Sequence, residues 1–307
     1  MFNRTLLSLA EKDSRIYMVL ADIGYGEIEG FASAFPTRYY NVGVAEQNMT
    51  GVACGIAMEG NIAITYSIAN FPTLRCLEQI RNDVCYHKAN VKIVIIGGGL
   101  AYGALGVSHH STEDIAIMRA LPDMVVIAPA DFAEAEAATR AMIEHDGPVY
   151  YRCGYKKEPD LHARKIDFRI GKALTARDGR DVTLIGTGTI TYRAFEAATL
   201  LERQGISARV VSMHTVKPID REAILRAAAE TRAIVTVEEH NVVGGLGGAV
   251  AEVLADEGCG VRFARIGLPD TYVHVVGSHE WLLDHFGFSP EAIAAVAQRT
   301  LDRTRGG

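Results

Sequence analysis

Apolar and polar residues alternate along the chain in blocks that predict a parallel α/β fold. Short runs rich in valine and isoleucine are followed by a polar or glycine-containing turn, and then by apolar residues at helical spacing. The run Val91–Ile96 is interrupted only by Lys92, which is typical of a strand buried on both faces of a parallel sheet. The alternation of strand and helix indicates sheets covered by helices. The predicted strands are residues 16–21, 38–42, 61–67, 91–96, 124–128, 148–152, 181–186, 208–212 and 233–238.

The same periodicity predicts the helices that cover these sheets. Asp131 follows a Pro-Ala turn and can cap the helix after it. The segment Met1–Arg15 has an amphipathic helix pattern with acidic residues, so we do not expect a signal peptide. The other predicted helices are residues 51–58, 71–87, 113–121, 133–144, 192–204, 220–230 and 249–255.

A polar, proline-containing stretch divides the chain into two predicted domains. The 307 residues suffice for two domains of ordinary size. Residues 156–164 are charged and contain Pro159, so we predict domains at 1–160 and 161–307, each an α/β unit with its own sheet.

Composition narrows the range of partners and compartments. The net charge of -6 gives no reason to expect nucleic acid or an anionic membrane as a partner, and no apolar run reaches the length of a membrane span. The five cysteines are odd in number and widely spaced, without a CxxC pair, which favours a reducing cytoplasm.

The loop Asn41–Gly43 leads to Glu46, the most informative residue of the chain. A run of small and apolar residues follows it and predicts a buried helix. Burying a carboxylate is costly unless a partner hydrogen-bonds it. Two interpretations remain open: a solvated or capping residue at a helix start, or a glutamate that shares a proton with a bound ring nitrogen.

Other polar residues lie where α/β folds bind ligands. Asp22 ends a predicted strand, and His109 and His110 lie in a glycine-bounded loop after another, although single loop residues of these types are often merely solvated. The histidines have no third ligand at a useful spacing, so we predict no metal site in this chain, and no GxSxG motif supports a serine hydrolase.

The glycine run Gly244–Gly248 is interpreted as structural. It lacks the lysine of a P-loop and the GxGxxG spacing of a dinucleotide site, whereas glycine at a helix start allows tight packing of the helix on its strand. The roles of Glu238, Glu239 and His240 just before it, and of His110, stay open.

Together the motifs resemble a known family. The chain is similar to the C-terminal half of transketolase, and most similar to the smaller subunit of split, two-chain transketolases. The motifs that carry the resemblance are NVGVAEQNMTGVACGIAMEG, NFPTLRCLEQIRNDVCYHKANVKIV, GVSHHSTEDIAIMRALPDMVVIAPAD, VTLIGTGT, VVSMHTVKPID and VTVEEHNVVGGLGG.

This resemblance implies half of an enzyme. It implies a pyrimidine-binding domain of the thiamine-diphosphate type followed by a transketolase C-terminal-like domain, both doubly wound. The family binds thiamine diphosphate between chains and holds its diphosphate and metal through a GDG…N motif, which is absent here. We therefore expect a larger partner subunit that carries Mg²⁺, assembly into an α2β2 heterotetramer, and transfer of a two-carbon ketol unit between sugar-like substrates.

The resemblance also implies site residues. Glu46 falls on the glutamate that hydrogen-bonds the aminopyrimidine ring and activates the cofactor. His109 falls on a histidine that contacts hydroxyl groups of the donor, and Arg152 on an arginine that binds the substrate phosphate. The remaining expected cofactor contacts are Phe71, Ile68 and Asp22.

Three departures from the family pattern suggest an altered substrate. Gly97 stands where transketolases have a substrate histidine, Ala104-Leu105 replaces an acidic pair, and the phosphate-binding arginine would fall before Met1. We expect a substrate that is less hydroxylated, unphosphorylated, or recognised mainly by the partner. The alternatives are the beta subunit of a 2-oxo acid or acetoin dehydrogenase and a non-catalytic scaffold.

Overall fold

The computed structural model describes residues 1–154, 159–162 and 166–302. Its strands form two sheets, each with mostly parallel pairing. In chain order the strands are β1 Ile16–Leu20, β2 Tyr39–Asn41, β3 Ile62–Ile68, β4 Val91–Ile96, β5 Val125–Ile127, β6 Val149–Cys153, β7 Leu174–Arg177, β8 Val182–Thr187, β9 Ala208–Ser212, β10 Thr215–Lys217, β11 Ala233–Asn241 and β12 Arg262–Leu268.

Helices connect most of the strands and cover both faces of each sheet. They are α1 Phe2–Ala10, α2 Glu29–Ala34, α3 Glu46–Met58, α4 Asn70–Arg75, α5 Leu77–Gln79, α6 Asp114–Ala120, α7 Phe132–Glu144, α8 Thr191–Arg203, α9 Arg221–Glu230, α10 Leu246–Asp256, α11 His279–His285 and α12 Pro290–Asp302. A π-helical segment covers Ile80–Cys85, and a short 3-10 segment covers Gly103–Leu105.

The first sheet has the strand order β10-β5-β6-β4-β3-β1-β2. Alternate residues of β4 face opposite sides: Ile93 and Ile95 pack with α3, the π-helical segment and α6, whereas Val94 packs with α1 and α7. The second sheet, β12-β11-β8-β9-β7, is likewise enclosed by α8, α11 and α12 on one face and by α9 and α10 on the other. The prediction of two doubly wound α/β sheets is confirmed.

The first sheet contains a strand from beyond the predicted domain boundary. The sequence pattern makes β6 the last strand of this unit, but β10 pairs antiparallel with β5, through Thr215 and Ile127. The division at residue 160 stays a prediction, and the predicted boundary at residues 156–164 lies partly outside the described residues.

Several local predictions were wrong or incomplete. The expected helix over residues 71–87 is split into α4, α5 and the π-helical segment, with a break at Cys76. Three strands, β7, β10 and β12, and the helices α2, α11 and α12 were not predicted. By contrast, Asp131 caps α7 as expected, because its side chain accepts a hydrogen bond from the backbone N–H of Glu134.

The carboxyl ends of β4, β3 and β1 lie side by side in the first sheet. The residues that follow these strands therefore meet at one edge, which is where open α/β sheets bind ligands. Within the described residues no helix is both long and apolar enough to cross a bilayer.

Candidate active site

Glu46 is the first residue of α3, and only 2% of its surface is exposed. The preceding loop is turned by Gly43, which has a φ of +74° and donates its backbone N–H to Asn41 Oδ1 over 3.0 Å. Within the helix, the Thr50 hydroxyl donates to the Glu46 carbonyl. Burial in the chain rules out a solvated helix start, while the chemical role of the carboxylate stays a prediction.

Arg75 compensates the charge of the buried carboxylate. Its Nη1 donates to Glu46 Oε2 over 2.6 Å, although 52% of the arginine side chain is exposed. Phe71 lies one helical turn before Arg75, and the guanidinium carbon is 5.7 Å from the centre of the Phe71 ring. The carboxylate, the cation and the aromatic ring are therefore adjacent on one surface.

His109 extends this surface on the side of Phe71. The two ring centres are 5.4 Å apart in an edge-on arrangement, and the Tyr102 ring lies 5.9 Å from His109 in a similar orientation. The Ser108 hydroxyl forms a 2.9 Å hydrogen bond with Nδ1 of His109. The predicted residues Glu46, Phe71 and His109 are thus brought together.

The loop that carries His109 is held by hydrogen bonds between its two ends and by a further bond at His110. Gly99 and Ser111 exchange two backbone hydrogen bonds of 2.8 Å each, which closes the loop. The Asn70 amide donates to the carbonyl of His110. Since Asn70 precedes Phe71 at the start of α4, this bond fixes the histidine loop next to the aromatic ring.

The guanidinium group of Arg152 forms hydrogen bonds within the chain. Its Nε donates to Asp114 Oδ2 over 2.8 Å, and its Nη2 donates to the carbonyls of Ser111 at 3.2 Å and Glu239 at 3.0 Å. Only 7% of the residue is exposed. Tyr150 donates to the same Asp114 oxygen over 2.8 Å. The geometry makes Arg152 a support of the histidine loop, and its predicted contact with a substrate phosphate stays a prediction.

Asp22 and Ile68 lie at the same sheet edge as Phe71, at the ends of β1 and β3. Asp22 is exposed with a φ of +57°, and its carboxylate accepts hydrogen bonds from the Tyr25 hydroxyl at 2.8 Å and the Asn41 amide at 3.2 Å. These bonds lower the pKa of Asp22. Because Asn41 begins the loop to Glu46, it connects Asp22 to that loop, while Ile68 is half-buried in β3.

The glycine run and Glu238 form one structural unit. Glu238 accepts hydrogen bonds from the backbone N–H groups of Leu246 at 2.6 Å and Gly247 at 2.7 Å, at the start of α10. A side chain at Gly245 would collide with the carboxylate of Glu238, so glycine is required there. Burial raises the pKa of Glu238 to about 7. These contacts support the structural interpretation of the glycines.

Glu239 connects the second sheet to the histidine loop, and His240 connects it to α6. Glu239 Oε1 accepts hydrogen bonds from the Leu100 N–H at 2.6 Å and from His279 Nε2 at 2.8 Å. His240 Nε2 accepts from the Ala116 N–H at 3.2 Å, and burial lowers its pKa. His110 is buried, which lowers its pKa, and its Nε2 lies 3.4 Å from the Gly103 carbonyl. The contacts of Glu239 and His110 hold the loop on the side of the second sheet.

Two family models match the sequence: the transketolase pyrimidine binding domain over residues 1–155 and the transketolase C-terminal domain over residues 171–293. The chain belongs to the transketolase family. The predicted resemblance is therefore confirmed, and dependence on thiamine diphosphate is what membership of this family implies. The structure describes no group of three or more His, Cys, Asp or Glu residues placed to hold a metal ion.

Two named relatives of this transketolase chain are described as enzyme subunits. It is 40% identical to one of the subunits of the apulose-4-phosphate transketolase of Phocaeicola vulgatus, covering 96% of this chain and 95% of that one. It is also 40% identical to a 6-deoxy-6-sulfo-D-fructose transketolase subunit of a Clostridium species, covering 97% and 92%. A solved structure described as a split gene transketolase, inactive beta4 tetramer, matches with a TM-score of 0.88 at 40% identity, covering 98% and 96%.

Two residues of the candidate site were not anticipated from the sequence. Arg75 could have been found, because it lies four residues after Phe71, a spacing that places both on one face of a helix. Tyr102 carries no such signal, since its position depends on how the glycine-rich loop folds back.

Proposed function

We propose that this chain is the smaller subunit of a two-chain thiamine-diphosphate enzyme. The enzyme transfers a two-carbon ketol unit from a ketose-type donor to an aldehyde acceptor. The observation that carries the proposal is the chain of contacts from buried Glu46 through Arg75 and Phe71 to His109. When bound, thiamine diphosphate supplies the nucleophile and the electron sink for breaking the carbon–carbon bond.

The residues of this surface suit a flat, nitrogen-containing heterocycle. Glu46 offers a buried carboxylate that can hold or share a proton at a ring nitrogen, and Arg75 keeps it in place. Phe71 is half-buried and can pack against the ring, with Ile68 and Asp22 at the same edge. His109 can hydrogen-bond substrate hydroxyls. Exposed apolar side chains lie near these residues, as expected of an interface with a partner chain. They are Val44, Leu74, Leu105 and Val107.

The diphosphate and its divalent ion, which we take to be Mg²⁺, would be held by the larger partner subunit. We infer an α2β2 heterotetramer in which each site lies between the two kinds of chain. A relative described as an inactive tetramer of β chains supports self-association of small subunits that need a companion for activity. The thiols of all five cysteines are unpaired, which supports a reducing cytoplasm as the location.

We further propose that the substrate differs from an ordinary pentose phosphate. Gly97 and Leu105 offer no hydrogen-bonding side chain, so the site can form hydrogen bonds with fewer hydroxyl groups of a substrate. The names of the relatives support varied sugar substrates, since one refers to apulose 4-phosphate and another to a sulfosugar.

The proposal is tested by reconstitution with the larger companion chain. Calorimetry should detect thiamine diphosphate binding in the presence of Mg²⁺ by the two-chain complex and not by this chain alone. Turnover is then measured with hydroxypyruvate as donor and glycolaldehyde as acceptor. A complex that binds no cofactor would favour the scaffold alternative, and turnover that requires a lipoyl carrier would favour the dehydrogenase alternative.

A further inference from the structure

The ring of Tyr102 fills the space next to the backbone of Gly97. A β-carbon built on Gly97 would lie only 2.5 Å from Cδ2 of Tyr102, and Cε2 of the same ring is closer still. Gly97 also has a φ of +74°, which disfavours any residue with a side chain. The ring of Tyr102 therefore occupies the space into which a side chain at position 97 would project.

This ring borders the candidate active site. Its centre lies 5.9 Å from that of His109, which in turn contacts Phe71. Tyr102 is half-buried, so part of its surface is accessible beside the histidine. A substrate that reaches His109 passes close to the tyrosine ring.

The loop around Tyr102 borders the site with side chains that carry no permanent charge. Residues 97–111 contain no Asp, Glu, Lys or Arg. Leu105 and Val107 in the same loop are each 55% exposed. An anionic or heavily hydroxylated part of a substrate finds few partners there, because apolar side chains cannot replace the water that such groups lose.

The backbone next to Tyr102 holds the ring in place. Gly103 is buried, and a β-carbon there would lie 2.6 Å from the carbonyl oxygen of Gly277 and from Cδ1 of Leu282. Leu100 on the other side is held by Glu239. The backbone of residues 100–103 is thus held against the second sheet's domain, which sets the point from which the Tyr102 ring projects.

We propose that Tyr102 determines the substrate range of the site. Its ring takes up volume beside His109 and so selects donors with a short, uncharged carbon chain over long phosphorylated ketoses. This inference rests on the proposed function and specifies its substrate class. Selection comes from the volume of the ring, so phenylalanine can replace tyrosine at this position.

The test compares two donors in the reconstituted two-chain enzyme with glycolaldehyde as acceptor. The short donor is L-erythrulose, an uncharged ketotetrose, and the long one is D-fructose 6-phosphate. Tyr102→Ala should shift the ratio of kcat/KM values towards the long donor by about tenfold or more, the range expected for a change in pocket volume. Tyr102→Phe should leave the ratio within about twofold of the wild type, because phenylalanine keeps the ring and nearly all of its volume.

Two controls keep the result interpretable. Tyr102→Leu retains apolar packing with less volume and should shift the ratio in the same direction if the alanine variant is unstable. Tyr86→Ala removes an exposed tyrosine that contacts only the neighbouring His87 ring among the described aromatic pairs, and it should leave the ratio unchanged.

An unchanged ratio in both Tyr102→Ala and Tyr102→Leu would overturn the inference. If the wild-type complex turns over neither donor, the proposed function fails. The inference is then decided by calorimetric dissociation constants of the complex for the same two compounds, whose ratio should shift in Tyr102→Ala and stay constant in Tyr102→Phe.

Discussion

Replacement of Glu46 by glutamine should separate stability from catalysis. Glutamine has nearly the same volume, and its amide oxygen can still accept a hydrogen bond from Arg75. Because Arg75 is half-exposed, the lost ion pair is screened by water and contributes about 1 kcal/mol or less. In a domain of this size such a loss lowers the melting temperature by about 2–4 °C.

The catalytic effect should be much larger. Glutamine cannot carry or share the acidic proton, and a positioned acid or base contributes about 10²–10⁴-fold to rate. We therefore expect the reconstituted enzyme with Glu46→Gln to lose turnover by about that factor. The assays are thermal unfolding of this chain and steady-state turnover of the complex, and turnover is measured well below the melting temperature.

Arg75→Gln is the matched control, because it breaks the same ion pair from the other side. It leaves a buried carboxylate without its cation, so it should destabilise the chain more than Glu46→Gln. It retains the carboxylate, so it should reduce turnover less. The two variants are expected to rank in opposite order for stability and for turnover. Full activity of Glu46→Gln would refute the assignment of this residue.

Two further predictions concern buried ion pairs. Arg152→Met should lower the free energy of unfolding by about 3–5 kcal/mol, because Asp114 would be left buried without its partner, as measured by denaturant titration. Nε2 of His162 lies 2.7 Å from Glu134 Oε1. Burial lowers the pKa of His162, but the hydrogen bond and the charge of Glu134 raise it, so that the net pKa lies above the ordinary value of 6.5. The folded state therefore binds this proton more tightly, so the stabilisation is present below pH 6.5 and lost as pH rises through the higher folded pKa. His162→Gln should remove that part of the pH dependence of unfolding.

The controls for these variants use the same readouts. For Arg152→Met, the KM of a phosphorylated donor is compared with that of hydroxypyruvate; a selective rise for the phosphorylated donor would establish the contact with substrate phosphate instead of a supporting role. For His162, the exposed His274→Gln variant should retain the wild-type dependence on pH. An equal loss in both histidine variants would contradict the pairing with Glu134.

The sequence was most informative for elements that are buried along their whole length. β4 was predicted because both of its faces are covered, so nearly every residue is apolar. β12 was missed because it lies at the edge of its sheet, and Arg262, Arg265 and Gly267 interrupt the apolar pattern. The break at Cys76 could not be foreseen, because α-helical and π-helical turns place apolar residues at similar spacings.

The candidate site was predictable in part for a related reason. Glu46 was identified because an acidic residue between a glycine loop and a buried helix conflicts with the local pattern. The contact of Tyr102 with Gly97 depends on the path of a loop rather than on any periodic pattern. The supporting contacts of Arg152 join residues from distant parts of the chain, Asp114 and Glu239, which no local pattern brings together.

The pairing of β10 with β5 has a consequence for how the two halves of the chain can be separated. Cleavage between them would leave Thr215–Lys217 hydrogen-bonded to the sheet of the first half, so a nicked molecule would stay associated without a covalent link. Expression of the first half alone would instead leave the apolar strand Val125–Ile127 as an open edge, which promotes aggregation. The two halves can therefore be cut apart after folding and still form one particle, whereas a first half synthesised alone lacks the strand that protects its sheet.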